Sequence, residues 1–164
     1  MSVVLQKPSI FKGSIRSNLF VSKKDATEDE MVKALKDALA YDFVSKYDDF
    51  LDHEIEEGGT NLSGGQKQRL LIARALLRSA DLLILDDCMS ALDYLSDQKV
   101  RANISKITGL TTIIVSQRAS SLLDCDKILV FDNGRIIASG KHEELLNTCD
   151  IYREIFEIQK GGVR

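Results

Sequence analysis

Two spacings of apolar residues alternate along this chain. Short continuous apolar runs at 3–5 and 82–85 are typical of buried strands, and the β-branched residues at 111–115 also predict a strand. Apolar residues at helical intervals occur between them, most clearly at 27–40 and 92–107. Strands that alternate with helices indicate a parallel sheet covered by helices, so we predict an α/β fold.

Capping signals mark where two of the predicted helices begin. Thr27 and Glu30 form the S/T-x-x-E pattern of a capping box before the helix at 27–40. Ser63 and Gln66 are spaced in the same way before a long apolar helix. Gly109 is expected to end the helix at 92–107.

The last third of the chain predicts a hairpin and a helical end. Apolar strands at 127–131 and 135–138 flank Asn133 and Gly134, a typical two-residue hairpin turn. Residues 141–159 then have helical spacing, with a break expected near Asn147.

Composition and charge exclude several classes of protein. With 164 residues and 44% hydrophobic content, the chain can form one domain or a large part of one. The net charge of −3 gives no reason to expect a nucleic-acid partner. No apolar run approaches the roughly 18 residues of a membrane span, so we expect the isolated chain to be soluble and cytosolic. Three cysteines without a CxxC pair indicate reduced thiols, not a disulfide framework or zinc site.

Two polar clusters are candidates for ligand binding. Gly64 and Gly65 follow Ser63 at a helix start, where exposed N–H groups and the helix dipole favour an anion. Asp86 and Asp87 follow the buried strand at 82–85, at the sheet edge where α/β proteins bind ligands. Carboxylates in that position can hold Mg²⁺.

In this order and spacing, the motifs resemble the nucleotide-binding domain of ABC transporters. The family's signature LSGGQ is present as Leu62, Ser63, Gly64, Gly65 and Gln66. Four other segments resemble family motifs. Residues 4–11 resemble the Q-loop, 82–86 the Walker B strand, 90–93 the D-loop and 114–118 the switch or H-loop. Residues 55–59 resemble the exporter type, apart from Glu56 and Gly58.

This resemblance implies a P-loop NTPase-like fold that binds ATP and Mg²⁺. It implies that Gln6 senses the metal and the attacking water, and that Asp86 holds the magnesium shell. Leu62 to Gln66 would bind the γ-phosphate of an ATP held by a partner domain, chiefly through Ser63 and Gln66. Asp93 would bridge the two ATP sites of a head-to-tail dimer.

The sequence departs from the family pattern by lacking a phosphate-cradling P-loop. That loop requires GxxxxGK followed by Ser or Thr, and the chain's only Gly-Lys pair is followed by His142. We therefore expect the C-terminal portion of a nucleotide-binding domain, without the Walker A lobe. Its predicted parts are a Q-loop region at 1–15, a helical subdomain at 16–80, and the later, mostly parallel core strands at 81–164.

Two further departures concern the catalytic positions. Asp87 stands where the family carries a glutamate that polarises the attacking water, and it reaches about 1.5 Å less. Gln117 stands where a histidine contacts the γ-phosphate, and glutamine cannot carry positive charge. Together they resemble the degenerate, weakly hydrolytic site of heterodimeric ABC exporters.

The implied partners are a second nucleotide-binding domain on a different subunit and a transmembrane permease domain, at the cytoplasmic face of the membrane. Because the chain lacks Walker A, we do not expect it to hydrolyse ATP alone. Two other classes stay open. One is a soluble ABC ATPase of DNA maintenance, which the acidic balance disfavours. The other is a truncated, non-catalytic module that offers its signature to a partner.

Overall fold

The computed structural model describes residues 1–7 and 9–161, without the side chain of residue 161. The chain divides into two compact units, Met1–Val115 and Ser116–Arg164. The predicted three-part division at residues 15 and 80 concerns functional regions and stays a prediction. No helix among the described residues is long and apolar enough to cross a membrane.

The first unit contains a parallel sheet, a small antiparallel ladder and several helices. In chain order these elements are β1 Ser2–Val4, β2 Gly13–Ser14, α1 Ile15–Phe20, α2 Glu28–Asp37, α3 Tyr41–Val44, β3 Glu54–Ile55, α4 Gly64–Leu77, β4 Leu82–Asp86, α5 Tyr94–Ile104 and β5 Thr111–Val115. Short 3₁₀ helices occur at Phe50–Asp52 and Glu57–Gly59.

The parallel sheet confirms the predicted α/β class. Its strand order is β1-β4-β5, and both neighbouring pairs are parallel. The register aligns Val3 with Ile84 and Ile84 with Ile113. Because all strands run the same way, their carboxyl ends bring the residues after β1 and β4 to one edge.

The sheet is buried on one face only. Leu83 and Leu85 of β4 are almost fully buried in the main core, together with Leu35 of α2 and Ile72 of α4. On the other face, Ile113 of β5 is 47% exposed. The helices therefore cover a single face, as alternate burial along β4 and β5 also indicates.

Both predicted capping boxes are present. Thr27 accepts a hydrogen bond from the backbone of Glu30 at the start of α2, and Glu30 accepts one from the backbone of Thr27. Helix α2 ends earlier than predicted, because Leu39 adopts a left-handed φ of 56°. Helix α5 is shorter than predicted at both ends: Asp93 caps it just before Tyr94, and it ends at Ile104, five residues before Gly109, which has a left-handed φ of 80°.

Buried Asn18 of α1 fixes the loop that follows β1. Its Oδ1 accepts from the backbone N–H of Phe11 at 3.0 Å. Its Nδ2 donates to the carbonyls of Phe11 at 2.9 Å and Ser14 at 3.0 Å. Asn18 is only 1% exposed, so its own polar atoms depend on these bonds.

We expect Asn18→Ala to lower the free energy of unfolding by about 2–4 kcal/mol, because it removes three partly buried hydrogen bonds to the backbone. Urea unfolding measures the effect. Ser17→Ala is the matched control on the same helix, where an exposed side chain should change stability by less than about 1 kcal/mol. Equal effects of the two substitutions would contradict this role of Asn18.

The second unit contains a hairpin and two helices. Strands β6 Ile128–Asp132 and β7 Arg135–Gly140 pair antiparallel, as predicted. Asn133 and Gly134 have φ values of 45° and 76°, the left-handed turn that their residue types favour. Helices α6 His142–Thr148 and α7 Asp150–Gly161 follow, and they separate at Cys149, close to the predicted break.

Candidate functional site

The start of α4 is shaped by a reciprocal cap. Ser63 Oγ accepts from the backbone N–H of Gln66 at 3.2 Å, and Gln66 Oε1 accepts from the N–H of Ser63 at 2.8 Å. These two side chains, which the sequence predicts to bind phosphate, therefore bond each other's backbone here. A ligand that recruits Gln66 must compete with its 2.8 Å bond to Ser63.

The two signature glycines have different surroundings. A Cβ built on exposed Gly64 would meet no atom within 4 Å, so the backbone there is open to a ligand. A Cβ on Gly65 would lie 3.5 Å from the carbonyl oxygen of Ala91. The preceding residue, Leu62, is buried and anchors the segment in the core. Gly64 thus presents the free N-terminal surface of α4, whereas Gly65 packs on the loop after β4.

The two acidic residues lie at the carboxyl end of β4, as predicted. Asp86 is the last residue of the strand, and Asp87 turns away with a left-handed φ of 43°. The N–H of Asp87 donates to the carbonyl of Val115 at 2.8 Å. The hydroxyl of Ser90 donates to the carbonyl of Asp87 at 3.1 Å. Because aspartate tolerates left-handed backbone better than most residues, Asp87 suits this turn.

Gln6 meets Asp87 at the same edge of the sheet. Gln6 Nε2 donates to Asp87 Oδ2 at 3.1 Å, although 81 positions separate the two residues in the chain. This hydrogen bond uses the amide nitrogen of Gln6, so the amide oxygen takes no part in it. The parallel register brings the residues after β1 and β4 together, so Gln6, Asp86 and Asp87 lie at one edge of the sheet.

This donor set fits Mg²⁺ held together with phosphate. Carboxylate and amide oxygens are its preferred protein ligands. Among the described residues no group of three or more His, Cys, Asp or Glu side chains could hold a metal ion. Mg²⁺ usually binds through one or two carboxylates plus phosphates and water, so Asp86 and Gln6 fit such a shared site.

Asp93 lies after the acidic loop and caps α5. Its carboxylate accepts from Ser96 Oγ at 2.6 Å and from the N–H of Ser96 at 2.9 Å. The side-chain and backbone hydrogen bonds from Ser96 lower the pKa of Asp93. Asp93 therefore presents an exposed, ionised carboxylate. It lies in the D-loop segment at 90–93, which the resemblance assigns to a contact between two domains.

Gln117 belongs to the second unit and is exposed. Its carbonyl accepts from Gln159 Nε2 of α7 at 2.7 Å. Sequence reasoning did not identify Gln159. No local motif marks it, because its partners lie 40 and 42 positions earlier in the chain.

Cys88 follows the acidic pair but lies inside the core. Burial raises the pKa of its thiol to about 12. We therefore expect it to react with a maleimide at pH 8 at least ~100-fold more slowly in the folded chain than in urea, because the thiolate is the nucleophile. Mass spectrometry measures the labelling, with partly exposed Cys125 as the internal control. Equal labelling of Cys88 and Cys125 in the folded chain would contradict this interpretation.

Comparisons with known proteins agree with the geometry. A family profile described as ABC transporter matches residues 1–90, more than half of the chain. An ABC transporter ATP-binding protein of Mycoplasma genitalium is 43% identical over 175 residues, covering 99% of this chain and 28% of that protein. An ATP-dependent lipid A-core flippase of Francisella tularensis is 40% identical over 159 residues, covering 96% of this chain and 26% of the flippase.

A solved structure is similar over nearly the same extent. The structure of a bacterial Atm1-family ABC exporter with ATP bound superimposes with a TM-score of 0.92 at 34% identity. The match covers 96% of this chain and 28% of the exporter chain. The chain thus spans just over a quarter of the length of these relatives. With its signature, acidic strand end and sheet order, the chain belongs to the ABC transporter family and has the fold of its ATP-binding domain.

Proposed function

We propose that this chain is part of the ATP-binding domain of an ABC exporter subunit and supplies its signature to an ATP held by a partner domain. The observation that carries the proposal is the open, capped N-terminus of α4. At that end Gly64 is exposed with free space around it, and Ser63 supplies a hydroxyl.

The start of α4 is suited to bind the terminal phosphate of a nucleotide. The first N–H groups of a helix lack partners within it, and the helix dipole favours negative charge. Ser63 and Gln66 add hydrogen-bonding side chains, and breaking their reciprocal cap frees both. Gly64 lets the phosphate approach the backbone, because no Cβ intervenes.

Asp86, Asp87 and Gln6 form the chain's own half of a second ATP site. Asp86 and the amide oxygen of Gln6 would hold Mg²⁺, which neutralises phosphate charge when bound. Asp87 would orient water, but its carboxylate is held by Gln6 at 3.1 Å and is one methylene shorter than glutamate. The site on this side is therefore proposed to hydrolyse ATP weakly.

Gln117 is the second reason for a weak site. An amide can donate a hydrogen bond to a phosphate oxygen but carries no positive charge at any pH. Stabilising charge that develops in the transition state is usually a large part of catalysis. A partner subunit with complete catalytic residues would then perform most of the hydrolysis. It would do so at the ATP site that the signature motif of this chain, with Ser63, completes.

The proposed partners come from the family resemblance. A second, different nucleotide-binding domain would dimerise head to tail with this one, with Asp93 at the contact between their sites. The loop after Gln6, fixed by Asn18, would transmit closure to a transmembrane domain at the cytoplasmic face of the membrane. Similarity to a lipid A-core flippase and an Atm1-family exporter supports an export function.

Vanadate trapping of nucleotide in the complete exporter, reconstituted in lipid vesicles, tests the proposal. Vanadate captures the nucleotide at sites that hydrolyse ATP. We expect one trapped nucleotide per dimer of nucleotide-binding domains. Two trapped nucleotides would contradict the weak site, and none would contradict ATP-driven export.

A further inference from the structure

The side chain of Gln159 makes a two-point contact with the backbone around Gln117. Gln159 Oε1 accepts from the N–H of Ala119 at 2.8 Å, while Gln159 Nε2 donates to the carbonyl of Gln117 at 2.7 Å. One carboxamide thus satisfies a donor and an acceptor two residues apart. Because both ends of the amide are used, its orientation and that of residues 117–119 fix each other.

Residues 116–118 connect β5 to a short 3₁₀ helix at Ala119–Leu122 and have no regular structure of their own. Ser116 Oγ accepts from the N–H of Arg118 at 3.0 Å, which shapes the turn locally. The contact with Gln159 ties Gln117 and Ala119 to one distant side chain. The position of Gln117 therefore depends on α7.

Helix α7 is itself held firmly in the second unit. Tyr152 is 4% exposed, and its hydroxyl lies 2.9 Å from Nδ1 of His142 in α6. The His142 ring packs edge-to-face on Phe156, one turn further along α7. Gln159 follows Phe156 by three residues, so it lies on the same side of the helix. The anchored turns thus set where the carboxamide is presented.

We propose that Gln159 is a positioning residue that holds Gln117 toward the γ-phosphate and couples the C-terminal helix α7 to the switch segment. This role rests on the proposed function, because it requires Gln117 to face a nucleotide. A displacement of α7 would move residues 117–119 through these two hydrogen bonds. The C-terminal helix is then a place from which ATP hydrolysis can be controlled.

Amide hydrogen exchange of Ala119, measured by NMR on the 164-residue chain, tests the contact without nucleotide. We expect Gln159→Ala to accelerate exchange at Ala119 about tenfold, since a hydrogen bond is lost. Gln159→Glu keeps the acceptor for Ala119 but places an oxygen against the carbonyl of Gln117. It should therefore preserve the protection of Ala119 while shifting the resonances of Gln117 and Arg118.

Glu157→Ala on the exposed side of α7 is the control and should change neither measurement. Equal acceleration by Gln159→Ala and Gln159→Glu would indicate general loosening of α7 and would overturn the two-point contact. Unchanged exchange in Gln159→Ala would overturn it as well.

Hydrolysis by the complete exporter tests the positioning role. In a background with Asp87→Glu and Gln117→His, and with the partner subunit's catalytic glutamate replaced by glutamine, we expect Gln159→Ala to lower kcat about tenfold with KM unchanged. A displaced switch residue weakens interactions made in the transition state but not the binding of ATP. Unchanged kcat would overturn the role. If Asp87→Glu with Gln117→His gains no activity, the proposal of a weak site is wrong. The hydrogen-exchange results alone then decide whether Gln159 fixes residues 117–119.

Discussion

Gly64→Asp should lower ATP hydrolysis by the complete exporter on the order of a hundredfold or more, with little effect on folding. The new carboxylate would enter the open space at the start of α4, where the proposal places the γ-phosphate. Two unit charges 4 Å apart repel by about 4 kcal/mol near a protein surface. Steady-state hydrolysis in vesicles and urea unfolding of the chain measure the two effects.

The fold should tolerate this substitution because an acidic side chain in the first turn of a helix is favourable by about 0.3–1 kcal/mol. Gly64→Ala is the matched control, since it fills the same space without charge and should retain most of the activity. Hydrolysis that survives Gly64→Asp would show that α4 does not face a phosphate. Equal losses in both variants would instead indicate a steric effect.

Asp87→Glu combined with Gln117→His should raise single-turnover hydrolysis at the proposed weak site about 100-fold, because the carboxylate gains about 1.5 Å of reach and the imidazole can carry charge. A partner subunit whose own catalytic glutamate is replaced by glutamine keeps the other site silent during the measurement.

Asp87→Asn with Gln117→His is the control, because it introduces the imidazole but removes the carboxylate. We expect no gain from it. A similar gain in both variants would assign the effect to the Gln117→His substitution alone, and no gain in either would contradict a weak site caused by these residues.

Features with strong local signals could be predicted from the sequence. The strand predicted at 111–115 coincides with β5, and both capping boxes are present at Thr27 and Ser63. The Asn133-Gly134 turn joins the two antiparallel strands of a hairpin. Each of these depends on residues within a few positions of one another. The family resemblance extended them to the site motifs, and the shared fold is confirmed.

Features that depend on distant residues could not be predicted in this way. Strands β2 and β3 are two residues each and form only because Gly13 pairs with Ile55. Asn18 shows no sign in the sequence of being buried. The bond between Gln6 and Asp87, and that between Gln159 and Ala119, join residues 81 and 40 positions apart. Only the folded chain brings these pairs together.

Calorimetric titration of the purified chain with Mg-ATP measures whether the chain holds a nucleotide by itself. In the proposed arrangement, this chain offers its signature to a nucleotide whose phosphates are cradled elsewhere. The chain contains no GxxxxGK[S/T] sequence, so we predict no binding at micromolar concentrations. Micromolar binding by the chain alone, unaffected by Gly64→Asp, would mean that another element cradles the phosphates and would contradict the account.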